Sequence, residues 1–562
     1  MQKGPRFDAT TTANLATAFF EVAEQHAHRP ALIGAGGQGP LYTYGEVGSL
    51  VRRLARGLQA PRFAGVREIG ILSENRPEWP IAYLSILAAG KTVVPIDSNL
   101  KPAEIVYVLN HSGLTTLFAS GKYERMLGEL GLDLQVYLME EKSPHGWQRL
   151  MDWQPEVEEE PAANSTAVLI YTSGTTGNPR GVILTHENLM ANLEGIRPAL
   201  PFDESDIFLS ILPLHHTYEA TCGFLAPLLS GSTVVYARSL KSKEILADLG
   251  ANRVTVMTGV PLLYEKIYHT LLRNIQTAPW YRRALFHSLF FLASVGWSLG
   301  LRWGRTLFSG LRKRAGLQSI RLLVSGGAAL PPEIARFFNL VGVDFLQGYG
   351  MTECSPVVSS NRPDNIKFGS VGPPLGNIDV RIDHPDENGI GEIIIRGPST
   401  TPGYRANPEK TAELLRDGWL HTGDLGRLKD GHLWITGRIK NVIVSAAGKN
   451  IYPEELEEKL SQSPYILEVV VFGRRKDAKQ GEEVRAILVP DLEQFHVDYG
   501  LSLESPDMTL LQLVLEQEVG KVNQQMADFK RISGFDIQIQ ELEKTSTKKV
   551  KRFVYNEDRA TS

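Results

Sequence analysis

The sequence contains very little cysteine, and neither sign of charge dominates it. Only Cys222 and Cys354 occur among 562 residues, which excludes a disulfide framework and indicates a reducing compartment. The 59 basic and 63 acidic side chains leave a net charge of −4, so no overall positive field indicates a nucleic-acid partner. The opening stretch, MQKGPRFDATTTANLATAFF, lacks a continuous apolar run, and we therefore expect a cytoplasmic protein.

Long apolar runs are also scarce, with one exception at residues 284–301. These residues carry no formal charge, and Arg282, Arg283 and Arg302 flank them. The length is at the lower limit for a spanning helix, and serines, glycines and a histidine interrupt the run. Ordinary buried helices and a spanning helix are two interpretations. The arginines and tryptophans favour a third, peripheral contact of the 280–314 region with the inner face of a membrane.

The order of apolar segments predicts an α/β protein with two domains. Short strands such as residues 68–72 and 92–96 alternate with helical patterns, an acidic connector follows at 156–165, and the alternation then resumes. Residues 391–438 become β-rich. Beyond residue 440 the pattern is that of a smaller α+β unit. We therefore predict layered α/β subdomains and a β-rich subdomain in a large N-terminal domain, followed by a small C-terminal domain.

A glycine-rich loop, YTSGTTGNPRGV, lies between two short β-branched runs. Its glycines allow the backbone to approach a ligand, its hydroxyls donate hydrogen bonds, and its single cation attracts negative charge. A flexible linker is the alternative, but the flanking strands argue against it. The segment therefore predicts a polyphosphate site formed by Thr172, Ser173, Gly174, Thr175, Thr176, Gly177 and Arg180.

Two further segments have the composition of nucleotide sites. In QGYGMTECSP, Tyr349 offers a stacking face between glycines, and the Glu353 carboxylate is a hard oxygen ligand that suits Mg²⁺. In GWLHTGDLG, Asp424 lies between glycines, where its carboxylate could accept both hydroxyls of a ribose. Taken singly, an ordinary turn with a solvated glutamate explains Glu353 equally well, and an Asx turn explains Asp424 better than a ribose site does.

Two further segments complete the series: GRIKNVIVSAAGKNIYPEELE, which joins the two predicted domains, and the basic EKTSTKKVKR near the C-terminus. In this order the five segments resemble those of the AMP-forming acyl-CoA synthetase family, within the superfamily of adenylate-forming enzymes. The resemblance covers residues from about 15 to 555. The segments ILPLHHTYE and LLVSGGAALPPEIARFF are most similar to those of the branch that acts on long-chain fatty acids.

The resemblance implies a role for each matching residue. The glycine-rich loop would hold the ATP phosphates, with Arg180 where the family usually has lysine, and Thr175 and Glu353 would bind Mg²⁺. Asp424 and Arg438 would bind the ribose. Lys549 would be the mobile catalytic lysine, with Lys548 as a register alternative. The adenine pocket would be formed by Gly327, Ala328, Gln347, Gly348, Tyr349, Gly350, Met351 and Thr352.

The resemblance also implies a two-state enzyme with two domains. Residues 1–437 would form the adenylation domain, 438–441 the hinge around Lys440, and 442–562 a mobile domain. After adenylation, the face that carries Gly448 and Lys449 would admit the thiol of coenzyme A. Asn441 stands where aspartate is common, which leaves open the ion pairs that steady each hinge state.

The acyl pocket is expected along LHHTYEATCGFLAPLL, which is largely apolar and has Glu219 as its one acid. His216, Tyr218 and Gly223 are the candidate lining residues, although a core histidine is an equally good interpretation of His216. The main hypothesis is a long-chain fatty acid:CoA ligase that uses ATP, Mg²⁺ and coenzyme A. The alternatives are transfer to an acyl carrier protein, activation of another hydrophobic acid, and an inert nucleotide- or lipid-binding protein.

Overall fold

A computed structural model describes residues 14–140, 143, 145–153, 165–172, 179–475, 481–544 and 550–555. The chain divides into two compact units. The first comprises residues 1–328, 332–379 and 395–420, and the second comprises 329–331, 380–394 and 421–562. The hinge at 438–441 stays a prediction. The acidic connector predicted at 156–165 lies almost wholly outside the described residues.

Strands and helices alternate along most of the chain. In chain order, the strands are β1 (Pro30–Ile33), β2 (Leu41–Thr43), β3 (Glu68–Leu72), β4 (Thr92–Pro95), β5 (Thr116–Ala119), β6 (Gln135–Leu138), β7 (Thr166–Thr172), β8 (Arg180–Thr185), β9 (Ile207–Ser210), β10 (Thr233–Tyr236), β11 (Val256–Gly259), β12 (Leu322–Ser325), β13 (Asp344–Gly350), β14 (Val357–Ser360), β15 (Asp379–Asp383), β16 (Gly391–Arg396), β17 (Gly403–Tyr404), β18 (Leu415–Arg416), β19 (Trp419–Lys429), β20 (His432–Arg438), β21 (Ile443–Val444), β22 (Asn450–Ile451), β23 (Ile466–Arg475), β24 (Glu482–Pro490) and β25 (Gly534–Ile537).

The helices are mostly of ordinary length, and one π-helical segment, Glu219–Leu225, precedes α7. They are α1 (Leu15–Gln25), α2 (Tyr44–Leu58), α3 (Glu78–Ala88), α4 (Pro102–Ser112), α5 (Glu124–Glu129), α6 (His186–Ile196), α7 (Ala226–Leu228), α8 (Ser242–Ala251), α9 (Pro261–Gln276), α10 (Trp280–Ser298), α11 (Gly304–Leu307), α12 (Ser309–Arg314), α13 (Pro332–Leu340), α14 (Pro408–Leu414), α15 (Pro453–Leu460), α16 (Leu492–Tyr499) and α17 (Met508–Gln524).

Two large sheets organise the first unit. Eight strands follow the order β14–β13–β12–β11–β9–β10–β1–β2, with parallel pairs from β13 to β1. Seven strands follow the order β17–β8–β7–β4–β3–β5–β6, in which β7 and β8 form an antiparallel hairpin. All side chains of β5, β10 and β12 are buried. Continuous apolar runs rather than alternating ones encode these strands because both faces of the sheet are covered.

Aromatic packing fixes the π-helical segment within the first unit. The rings of Trp79 and Tyr83 on α3 are fully buried and meet the Phe224 ring edge-on, with centroids 5.9 and 5.2 Å apart. Edge-to-face pairs of this kind add about 0.5–1.5 kcal/mol to the burial of their surface. This segment, which carries Gly223 of the predicted acyl site, is therefore part of the buried core.

The second unit contains a hairpin sheet and a compact α+β cluster. In the first, β16 lies between β15 and β19, and β20 pairs with β19 through a turn at Asp430 and Gly431. Both turn residues have positive φ, as a type I′ turn requires. In the second, β23, β24 and β25 pack against α15 and α17 through an apolar core that includes Leu456, Leu488 and Leu515.

The predicted classes of both parts are confirmed. The large part mixes parallel sheets with helices, and the small part is an α+β unit with the order strand, strand, helix, strand, strand, helix, helix and strand. Helix α16, at Leu492–Tyr499, is an element that the sequence patterns did not predict.

Candidate active site

The predicted phosphate loop joins β7 to β8, and the described residues fix its two ends. Thr172 and Arg180 are directly opposite each other in the antiparallel hairpin, so the loop leaves and returns at one point. Ser173, Gly174, Thr175, Thr176 and Gly177 lie outside the described residues, as does Lys549.

Glu353 lies in a short 3₁₀ turn just after β13, and contacts with residues 401–404 hold it. The Tyr404 hydroxyl donates a 2.8 Å hydrogen bond to Glu353 Oε1. The Thr401 amide donates to the Glu353 carbonyl oxygen at 2.8 Å. Both the side chain and the backbone of Glu353 are thus positioned by a segment about 50 residues away in sequence.

Tyr404 also meets the cation of the phosphate loop. The Arg180 guanidinium carbon lies 5.8 Å from the centroid of the Tyr404 ring, within the range of a cation–π contact. Burial and the neighbouring Glu353 raise the pKa of Tyr404, so the phenol stays neutral and donates its proton to the carboxylate. A loop-end cation and a carboxylate therefore converge on one tyrosine, which the sequence analysis did not identify.

The two predicted adenine segments lie at the carboxyl ends of neighbouring parallel strands. Ser325 of β12 is in register with Gln347 of β13, so the segments that follow them, 326–328 and 348–352, leave the same edge of the sheet. This edge is where open α/β sheets bind their ligands. Gln347 is buried, whereas Gly348 to Thr352 are half-buried and Gly327 and Ala328 are exposed.

Two glycines at this edge are required by their geometry. Gly327 has φ of +87°, a conformation that favours glycine. A Cβ atom on Gly350 would clash with the Pro356 carbonyl oxygen, because β14 approaches it closely. Gly327 therefore leaves an exposed backbone without a side chain, and Gly350 makes room for the backbone of Pro356.

Tyr218 connects the predicted acyl segment to this same edge. Its hydroxyl donates to the Val324 carbonyl oxygen of β12 at 3.1 Å. A Cβ atom on Gly326 would lie 3.1 Å from the Tyr218 ring, so the ring packs on the residue just before Gly327. Tyr218 therefore contacts the residue next to the predicted adenine segment.

Gly223 and Glu219 form a polar interior beside the acyl segment. A Cβ atom on Gly223 would lie 2.5 Å from the Glu219 carboxyl carbon, so this glycine makes space for the acid. Glu219 is fully buried and accepts hydrogen bonds from Ser210 at 2.7 Å and Thr258 at 3.2 Å. Burial raises the pKa of Glu219 to about 7.

His216 stands beside a histidine–aspartate pair. Its ring centroid is 4.1 Å from that of His215, whose Nε2 lies 3.2 Å from Asp97 Oδ1. The neighbouring backbone is fixed by Asn75, which donates to the Leu212 carbonyl oxygen at 2.6 Å and accepts from the Leu214 amide at 3.0 Å. The segment before Tyr218 is consequently well ordered.

A small apolar cavity lies behind the π-helical segment. Its lining includes Ile196, Phe208, Cys222, Val256 and Leu322, and in this state it holds no more than about one water molecule. An acyl chain can occupy this region only if the surrounding side chains move apart.

In the second unit, Asp424 and Arg438 face each other across the β19–β20 hairpin. Arg438 Nε lies 2.8 Å from Asp424 Oδ1, and Asp424 is buried whereas Arg438 is more than half exposed. Asp424 is therefore in a strand, and the Asx-turn interpretation is wrong. Strand pairing overrides the local preference of the flanking glycines here.

Glu392, which the sequence analysis also missed, holds the segment before Asp424. Its carboxylate accepts from the Gly423 amide at 2.9 Å and lies 2.8 Å from His421 Nδ1. The Thr422 hydroxyl accepts from the Asp424 amide at 3.0 Å and donates to the Ile393 carbonyl oxygen at 2.7 Å. The 421–424 part of β19 is thus tied to β16 by hydrogen bonds to Glu392 and Ile393.

Lys440 and the predicted thiol-side residues lie further along the second unit. Lys440 is exposed in a 3₁₀ turn, Ile439–Asn441, and the side-chain amide of Asn441 donates a hydrogen bond to Glu454 Oε1 at 2.7 Å. Gly448 has φ of +71° in the turn between β21 and β22. Lys449 is exposed, with its ammonium 4.7 Å from the Phe529 ring centroid.

Family models place the chain clearly. The model described as AMP-binding enzyme matches residues 19–405, and that described as AMP-binding enzyme C-terminal domain matches residues 440–558. The first match alone covers more than half of the chain.

Several curated proteins are similar to most of the chain. A peroxisomal long chain acyl-CoA synthetase of Arabidopsis thaliana is 31% identical over 77% of this chain and 66% of its own length. A long-chain-fatty-acid–CoA ligase of Mycobacterium bovis is 33% identical over 81% of this chain and 78% of its own. A feruloyl-CoA synthase of an Amycolatopsis species is 31% identical over 80% and 84%, respectively. The chain thus spans about two thirds of the plant relative and more of the bacterial ones.

Solved structures share the fold over nearly the whole chain. ATP-bound MatB from Rhodopseudomonas palustris superimposes with a TM-score of 0.78, covering 98% of this chain and 99% of that one at 24% identity. The predicted fold, a large N-terminal α/β domain followed by a smaller C-terminal domain, is confirmed. The chain belongs to the AMP-binding enzyme family and is an AMP-forming acyl-CoA synthetase, an acid–thiol ligase most similar to the long-chain fatty acid ligases.

Proposed function

We propose that this protein activates a long-chain fatty acid with ATP and transfers the acyl group to coenzyme A. In the first step a carboxylate oxygen attacks the α-phosphorus of ATP, and the bond to pyrophosphate breaks. In the second step the sulfur of coenzyme A attacks the acyl carbon, the bond to AMP breaks, and the thiol proton is released. The relatives support the fatty acid, and the apolar lining behind the π-helical segment suits its chain.

The observation that carries this proposal is the convergence of Arg180 and Glu353 on Tyr404. Two like-charged reactants meet in the first step, so fixed positive charge at the phosphates lowers the barrier. Arg180, at the end of the loop, would contact the phosphates as charge moves to the leaving pyrophosphate. Tyr404 would hold the guanidinium and the carboxylate at a constant spacing.

Glu353, together with Thr175 of the loop, would hold a magnesium ion. The carboxylate is a hard oxygen donor beside the loop end, and this fits the ligand preference of Mg²⁺. When bound, the ion would neutralise charge on the phosphate oxygens. Tyr404 orients the carboxylate by its hydrogen bond to Oε1.

The remaining nucleotide contacts would come from two places. Gly327, Ala328 and the segment from Gln347 to Thr352 would bind the adenine at the edge of β12 and β13, with Tyr349 stacking on the ring. In the second unit, Asp424 would accept hydrogen bonds from the ribose hydroxyls, and Arg438 would hold its carboxylate in position.

Lys549 would assist the first step, and rotation at Lys440 would then bring Gly448 and Lys449 to the thiol side. Switching by hinge rotation is a known way to run two steps in one site. The matched pair Lys549→Ala and Lys548→Ala tests the register of this assignment. We expect Lys549→Ala to abolish most adenylate formation and Lys548→Ala to leave it nearly unchanged. The reverse pattern would shift the catalytic position by one residue.

In the acyl site, His216 and Tyr218 would lie near the carboxylate, and the apolar residues behind them would surround the chain. Tyr218 supports this arrangement because it already touches Gly326 at the nucleotide edge.

A panel of carboxylic acids tests the whole proposal. Pyrophosphate and AMP release are followed with ATP, Mg²⁺ and purified protein, with and without coenzyme A. We expect stoichiometric AMP and acyl-CoA, fastest with long-chain acids. An adenylate that reacts only when a holo acyl carrier protein is added would identify a carrier-protein ligase instead. A preference for an aryl acid would contradict the assignment of a fatty acid as the substrate. Failure to release pyrophosphate with any acid would indicate a binding protein.

A further inference from the structure

Helix α10 exposes an unusually large apolar surface. The outer face of α10 consists of Trp280, Tyr281, Leu285, Phe291, Leu292 and Val295. The exposed fractions reach 74% for Trp280 and 67% for Phe291. At 3.6 residues per turn these positions fall within about 140° of one another around the helix axis, so they form one continuous side of the helix. Contiguous exposed apolar surface of this kind marks an interaction site.

The opposite side of α10 is firmly packed, so the exposure does not come from a loose helix. The Phe286 ring lies 5.5 Å from the Phe308 ring, and the Phe290 ring lies 6.1 Å from the Phe337 ring. Ala293 and Gly296 are buried against the body of the first unit. The helix is therefore apolar on both sides, with only one of them covered in this chain.

All charged residues near α10 in the sequence are basic. No acidic residue occurs between positions 266 and 332, although acidic residues outnumber basic ones in the chain as a whole. The same interval contains ten basic residues: Lys266, Arg273, Arg282, Arg283, Arg302, Arg305, Arg312, Lys313, Arg314 and Arg321.

Only some of these cations have a structural role. Arg312 is buried and donates to backbone carbonyls, including that of Ile320 at 2.8 Å. Arg302 pairs with Asp344 and stacks on Trp297. Arg282 and Arg283 are exposed in the first turn of α10, which contains no acid, and Arg282 lies 5.8 Å from the centroid of the neighbouring Tyr281 ring. Cations are unfavourable at that end of a helix, so helix stability does not explain them.

We propose that the outer face of α10 docks on the surface of an anionic phospholipid bilayer. The apolar side chains would enter the boundary between headgroups and acyl chains, and Arg282 and Arg283 would contact lipid phosphates. Segments that bind such a surface typically combine exposed aromatic and aliphatic side chains with arginines and contain no acidic residues. Among the described residues, no helix has the length and apolar character needed to cross a bilayer.

This inference goes beyond the proposed function and does not depend on it. If the substrate is a long-chain acid, docking brings the enzyme to the place where that acid is most concentrated. The binding itself is measured without ATP, coenzyme A or fatty acid. Failure of the docking would therefore leave the reaction assay unaffected, and failure of the reaction would leave the docking result unaffected.

Co-sedimentation with vesicles tests the proposal on the full-length protein. Phosphatidylcholine vesicles are compared with vesicles that also contain phosphatidylglycerol. Phe291→Ser with Leu292→Ser removes apolar contact, and Arg282→Gln with Arg283→Gln removes charge. The matched control is Val497→Ser with Leu513→Ser, which changes two exposed apolar residues of the second unit, 74% and 54% exposed. Circular dichroism and thermal unfolding verify that each variant folds.

We expect binding to the anionic vesicles that weakens with salt and is much weaker on phosphatidylcholine alone. The arginine variant should bind about tenfold or more weakly, since each cation near an anionic surface contributes about 1 kcal/mol. The Phe291 and Leu292 variant should lose most binding, and the control should bind like the parent protein. The proposal would be overturned by any of three results: no binding, equal binding by the control and the outer-face variants, or no preference for anionic lipid.

A second copy of the chain is the other occupant that an apolar face could take. Light scattering on the parent protein and on the Phe291 and Leu292 variant distinguishes it. A dimer that dissociates in this variant, together with no vesicle binding, would assign the face to self-association and overturn the lipid proposal.

Discussion

The two parts of the proposed nucleotide site are built in different ways. In the first unit, Arg180, Glu353 and Tyr404 come from distant parts of the chain and meet through tertiary packing. In the second unit, Asp424 and Arg438 face each other on one hairpin and form a direct ion pair. A site assembled from distant segments depends on supporting contacts, whereas a hairpin pair is fixed by the register of two strands. Substitutions in the two parts should therefore affect different steps.

The strongest test of this contrast is Glu353→Ala. We expect the rate of adenylate formation to fall by about 10²–10³-fold, because charge stabilisation at the reacting phosphate is lost. Folding should be retained, since the Thr401 amide bonds to the backbone of residue 353 rather than its side chain. Single-turnover pyrophosphate release measures the effect, with the exposed Glu129→Ala as the control. A change in KM alone would contradict the assignment to the chemical step.

The counterpart in the second unit is Asp424→Ala. Here we expect mainly a higher KM for ATP, by about 10–100-fold, since hydrogen bonds to a charged group contribute about 1.5–3 kcal/mol. Arg438 is largely exposed, so the loss of its partner should cost little stability. Steady-state kinetics at varied ATP give the result. Should kcat fall as strongly as in Glu353→Ala while KM stays constant, the two parts would not divide their roles as proposed.

Tyr404→Phe asks whether the tertiary support in the first unit matters. It deletes one hydrogen bond to Glu353 and keeps the ring near Arg180, and the bond contributes about 0.5–1.5 kcal/mol. We expect kcat for pyrophosphate release to fall by about three- to tenfold, with KM for ATP nearly constant. Tyr137→Phe, on β6, serves as the control. Parent-like rates would mean that Glu353 is oriented without Tyr404.

The smallest effect is expected for Glu392→Gln, the corresponding support in the second unit. Glutamine can still accept from the Gly423 amide, but the negative charge next to His421 is lost. KM for ATP should rise by about two- to threefold, with kcat unchanged, because the strand pairing already fixes Asp424. A larger effect than that of Tyr404→Phe would show that the hairpin does not hold its own geometry.

Local patterns predicted those features that depend on neighbouring residues in sequence. Strands β7 and β8, on either side of the predicted phosphate loop, follow from the two short β-branched runs. The family resemblance is confirmed by the family models, and the roles of the individual site residues stay predictions.

What the sequence could not reveal depends on contacts between distant segments. Tyr404 lies 51 residues from Glu353, and nothing in the local sequence indicates that they meet. Glu392 is 31 residues from Gly423, whose amide it accepts. The strand conformation of Asp424 likewise required the partner strand. For α10, composition alone left buried and surface interpretations open, because only the fold decides which side of a helix is covered.

The contact between Tyr218 and Gly326 has a thermodynamic consequence for how substrates bind. If the proposed roles are correct, the acyl chain contacts Tyr218 and the nucleotide binds next to Gly326, and these two residues pack directly against each other. An acid that displaces the Tyr218 ring alters the affinity for ATP, and linkage requires ATP to alter the affinity for that acid by the same factor. Selectivity among acids should therefore depend on the ATP concentration at which it is measured.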